Sequence, residues 1–198
     1  MVAYLLASLP TPRLGETPEV GVDTVLERSA GFVGKERARD LAWVLGISPN
    51  DGRRAEAPAG EFGDALAAEP RPPLSDAATV AWAHVTDLVD DAIAAERCAR
   101  ARIDAHPYLR RPTGYRVDVA ESVAAAFDRP HPGARERHLD ELRWRLADEL
   151  RVGDSDGFGA LVSRAAQLRL AWRWVGWSEE DGWKVLEAAQ RRIEERHG

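Results

Sequence analysis

Five histidines, one cysteine, a glycine–lysine motif and two carboxylate runs are the parts of this 198-residue chain whose residue types could do chemistry. Gly31-Phe-Val-Gly34-Lys35 invites a phosphate-loop reading. That loop needs four residues between its glycines and Ser or Thr after the lysine, so that backbone N–H groups cradle phosphates and a hydroxyl reaches magnesium. Here two residues separate the glycines and Glu36 follows the lysine, so Gly34 reads instead as the start of a helix. The histidines are His84, His106, His131, His138 and His197. None forms a His-x-x-x-His pair, and no Glu-x-x-His recurs to build a carboxylate-bridged dimetal site, so solvated or helix-capping roles are expected. Cys98, alone in an Ala-rich run, allows neither an internal disulfide nor a cysteine-cluster metal site and reads as a structural thiol. Asp90-Asp91 and Glu179-Glu180-Asp181 are carboxylate-rich, and acids early in a helix, as at 179–181, complement its dipole. No Gly-x-Ser-x-Gly elbow is present. The expectation is a protein that is not an enzyme, with no metal and no cofactor. The alternative is a small-molecule-binding or enzymatic helical domain whose polar site gathers distant residues such as His84, Asp91 and Arg169.

The tryptophans carry more information. In a helix over 156–175, Leu161, Ala165, Leu168, Trp172 and Val175 share one band. Trp174 lies two residues past Trp172, about 200° around the cylinder, and joins Leu170 there. The preceding helix repeats the pattern, with Leu139, Leu142, Leu146 and Leu150 in a stripe and Trp144 roughly opposite. Either both helices are sandwiched between neighbours, or some of these rings form a protein-binding patch of Trp144, Leu170, Trp174 and Trp177. Self-association through the same rings is compatible with the second reading. Arg169 and Arg173 flank the main band, placed to snorkel or to pair with carboxylates.

The elements that must position these side chains follow from composition and spacing. The chain is 44% hydrophobic and 30% charged, too apolar for disorder, and its length suits one domain. No apolar run approaches the ~20 residues of a membrane span. A net charge of −6 argues against a nucleic-acid partner, which favours a basic surplus. The opening residues lack the positive region of a signal peptide and stop at Pro10, so a cytoplasmic location is expected, with any membrane contact made through a complex.

Tyr4–Leu9 reads as a short extended segment closed by Pro10. Helices are expected near 23–29, 35–45, 76–102, 117–127, 134–151, 156–175 and 179–196, with Asp23 and Ser75 as caps and Gly46 as a terminator. Ser178 with Asp181 resembles a capping box for the last of them. Five prolines and three glycines interrupt 47–75, which reads as a loop or linker. The predicted fold class is mainly α: a single domain of six to seven helices with a short N-terminal extended segment. Residues 1–46 would pack with the main bundle, 76–198, across the 47–75 loop.

Several of these stretches resemble a known family. Tyr4-Leu-Leu-Ala-Ser-Leu-Pro10 resembles the opening of an uncharacterised bacterial family encoded among the subunits of V-type (V/A-type) ATPases. Leu142-Arg-Trp144 with Asp148-Glu-Leu150, Leu168 through Arg173-Trp174, and Glu179-Glu-Asp-Gly-Trp183 are similar to its C-terminal portion, as Ala105-His-Pro-Tyr-Leu109 is to a segment after its long helix. The resemblance covers the beginning and the C-terminal half, while the Pro/Gly-rich stretch matches poorly. It implies a non-catalytic subunit or accessory factor of such an ATPase, with other ATPase subunits as partners and, by looser analogy, the role of the helical subunit joining rotor shaft to membrane ring. The family has no assigned active site, so it transfers no functional residue.

Overall fold

A computed structural model describes residues 2–47, 73–110 and 115–175. These hold seven α-helices, α1 (Val2–Ser8), α2 (Val22–Val33), α3 (Lys35–Leu45), α4 (Ala77–Ala101), α5 (Val117–Phe127), α6 (Pro132–Glu149) and α7 (Phe158–Arg173), with a 3-10 turn at His106–Tyr108 and no strand among the described residues. The mainly α class is therefore correct. The 179–196 helix and almost all of the 47–75 segment lie outside the described residues.

The N-terminal run corrects the expectation of an extended segment, because Val2–Ser8 is helical. A lone strand would leave its backbone groups without partners, whereas a helix satisfies most of them internally. Leu5 and Leu9, four residues apart, are both buried, and the Ser8 hydroxyl donates to Leu5 O at 2.7 Å. A six-residue apolar run is too short for its period to tell the two states apart.

Glycines set the boundaries of α3. Gly34, at φ 79° and ψ 163°, ends α2 and opens α3 in a conformation that is essentially restricted to glycine. Gly46, left-handed at φ 75°, closes it, its N–H bonding Trp43 O while that of Ile47 bonds Ala42 O, which is the Schellman arrangement. At the start of α4, the cap is Asp76, whose side chain accepts from Ala78 N at 2.9 Å. The sequence points to Ser75 as the cap, but the serine bonds α3 instead. Its N–H and hydroxyl both donate to Asp40 Oδ2, which also accepts from Asp76 N and the Thr79 hydroxyl. Arg37 adds a 2.8 Å bond to Asp76, so α3 grips the chain where α4 begins. His131 caps α6, its Nδ1 accepting from Ala134 N at 3.1 Å, a capping role of the kind its position between prolines suggests.

Helix α7 is central among the described residues. Twelve of its sixteen residues are buried, so it has neighbours on nearly every side, and α1, α2, α3, α4 and α6 all pack on it. One apolar core joins α1–α3 and the start of α4 to α7 through Leu5, Val25, Leu41, Val44, Trp82, Leu161 and Val162. A second joins α4, α5 and α6 through Val89, Val119, Val123, Leu139, Leu142 and Leu146. The leucine stripe of α6 is thus a core face, as its spacing implies. Helix α6 runs antiparallel to α7: Gln167 bonds Asp148 near one end of the pair, and Arg173 bonds Glu136 near the other. No helix among the described residues is long and apolar enough to cross a membrane.

The irregular stretch from Leu9 to Val20 is fastened by side chains of α6 and α7. Arg164 donates to Pro10 O and the Thr11 hydroxyl, Arg137 to Leu14 O at 3.0 Å, and the Trp172 indole to Val20 O at 2.9 Å. Most of these acceptors are backbone carbonyls, so the path of the strap is fixed largely without its own side chains.

Candidate protein-binding surface

The site is built outward from Asp140, midway along α6 and fully buried. Its carboxylate accepts from Arg143 at 2.9 Å, from Arg173 at 3.0 and 3.2 Å, and from the Trp174 indole N–H at 3.0 Å. A buried carboxylate persists only when its lone pairs are occupied, and two guanidinium groups and an indole occupy these. The charges continue outward on both sides. Arg173 reaches Glu136 at 2.9 Å. Arg143 lies 3.6 Å from Asp90, which meets Arg110 at 3.3 Å, and Arg110 in turn meets Asp87 at 3.3 Å. Partial burial pushes the Asp90 carboxyl above its ordinary range, against the pull of Arg143 and Arg110. The network ties α4, α6 and α7 together, and its acids are already engaged by cations.

Arg137 connects this interior to the surface. Its guanidinium stands 5.4 Å from the centroid of the Trp174 ring, over which it stacks, and its Nε lies 3.4 Å from Glu141. The outer edge of Arg137 then forms one wall of an open depression of about 410 Å³. Its remaining lining is Pro12, Arg13 and Leu14 from the strap, with Glu141 and Trp144 from α6. Arg137, Glu141 and Trp144 are spaced four and three residues apart, which places them on one helical face. Trp144 is half-buried, with part of its ring open to solvent.

Of the four residues read from the sequence as a protein-binding patch, the three that are described differ in their settings. Trp144 lines the depression and Trp174 stands beside it with Arg137 between them. Trp174 is turned inward to Asp140 and is half-buried. Leu170 is only 7% exposed and offers almost no surface. Trp177 lies outside the described residues. Sequence reasoning missed Arg137, Glu141 and Asp140. The available signal was an aspartate three residues from an arginine on either side, at 137 and 143, beside a leucine stripe.

The residues named for a small-molecule site are engaged on different elements. Asp91 accepts from Arg110 N at 2.7 Å, His84 is exposed on α4, and Arg169 lies over the end of α3. There Arg169 donates to Val44 O at 3.3 Å. Among the described residues, no three His, Cys, Asp or Glu side chains are grouped to hold a metal ion. Cys98 is buried within α4. Comparison of the chain with protein-family models, curated proteins and solved structures finds no match.

Proposed function

We propose that this chain is a non-catalytic subunit or assembly factor of a bacterial V-type ATPase, acting through protein–protein contacts on the Trp144 face of α6. The observation that carries the docking surface is the partly open indole of Trp144 in a depression whose walls are fixed, on one side by α6 and on the other by the strap that Arg137 and Arg164 hold. A pre-ordered aromatic anchor loses little entropy on binding, which is why such residues dominate interface energetics. The ATPase as partner rests on the resemblance of Tyr4–Pro10, and of the short segments 142–144, 148–150, 168–174 and 179–183, to the ATPase-associated family. In this reading the protein is cytoplasmic, touches the membrane only through the complex, binds no nucleic acid and needs no cofactor.

The test is affinity purification of the tagged full chain from its own host under mild crosslinking, beside a Trp144→Ala variant with an unchanged melting temperature. Recovery of V-type ATPase subunits with the natural chain, and their loss with the variant, is the expected result. Absence of those subunits would remove the assignment to the ATPase, and equal recovery by the variant would remove the surface.

A further inference from the structure

We draw no further inference here: the strongest candidate, the open depression between the Pro12–Leu14 strap and the Arg137–Trp144 face of α6, belongs to the surface already described, and nothing in the structure shows what covers it.

Discussion

The indole N–H of Trp174 donates to Asp140 Oδ2 at 3.0 Å, so the residue that caps the C-terminus of α7 is hydrogen-bonded to a fully buried carboxylate in the middle of α6. The same carboxylate holds Arg143 and Arg173, which makes it the meeting point of three donors from two helices.

Removing that acceptor is therefore expected to cost more than a surface ion pair does. Asp140→Ala leaves two guanidinium groups and an indole N–H facing an apolar gap, and truncating one member of a buried charged cluster typically costs ~3–5 kcal/mol. Arg173 is 41% exposed and can turn to water, which places the expected loss near the lower end, about 3 kcal/mol. Urea unfolding of the variant measures it, and a loss below about 1 kcal/mol would show the cluster to be incidental.

Asp40 gives the fold a pH dependence of definite sign. Burial pushes its carboxyl up, but the N–H groups of Ser75 and Asp76 and the hydroxyls of Ser75 and Thr79 outweigh this and hold it below its ordinary value of 3.8. A carboxyl lower in the folded than in the unfolded chain contributes stability that is present above the unfolded value and is lost as pH falls through the folded one. Asp40→Asn should thus be less stable than the natural chain at neutral pH, by about 2 kcal/mol. The gap should narrow as the pH drops below 3.8. Paired denaturation curves at neutral and strongly acid pH test this, and a pH-independent gap would contradict it.

How much of this was legible in the sequence depended on whether the signal was local. Helix α3 was read with its observed bounds because glycines at 34 and 46 mark both ends, and each glycine acts through its own backbone. Helix α5 was likewise read over Val117–Phe127. The first helix was misread because Tyr4–Leu9 is too short to display a period, and packing against α7 and α2 decides its state. Ser75 and Asp76 are both good caps, and the choice between them was made by Asp40, a residue 35 positions away that recruits the serine. The opposite placement of Trp174 and Trp172 on their helix was visible from 100° steps, yet nothing local indicated that Trp174 would turn to Asp140, 34 residues earlier.

The closure of α3 predicts a coupling between Gly46 and Arg169. A Cβ at position 46 would sit 2.9 Å from the Arg169 guanidinium carbon, in addition to the strain of a left-handed backbone at φ 75°. Gly46→Ala should cost about 2 kcal/mol, roughly half from each source. In an Arg169→Ala background the steric half disappears, so the same glycine substitution should cost about 1 kcal/mol less. A double-mutant cycle from thermal or urea unfolding measures the difference, and strict additivity would mean that the guanidinium moves aside without cost.

The two tryptophans on either side of Arg137 should respond in opposite ways to truncation. Trp174 serves the interior: its N–H satisfies Asp140 and its ring carries the Arg137 guanidinium, so Trp174→Ala is expected to destabilise the isolated chain by about 3 kcal/mol, in the range of large core truncations. Trp144 lines the open depression, and its removal takes away a ring that water already reaches on one side. Trp144→Ala should therefore cost the fold no more than about 1 kcal/mol, while weakening partner binding at least tenfold, about 1.4 kcal/mol. Thermal melts of both variants read the first effect, and co-purification with the proposed ATPase partners, or sedimentation if the partner is a second copy, reads the second. A large melting loss for Trp144→Ala with undiminished binding would place that ring in the core and move the docking surface elsewhere, whereas a stable but non-binding Trp144→Ala assigns the surface to the outer face of α6.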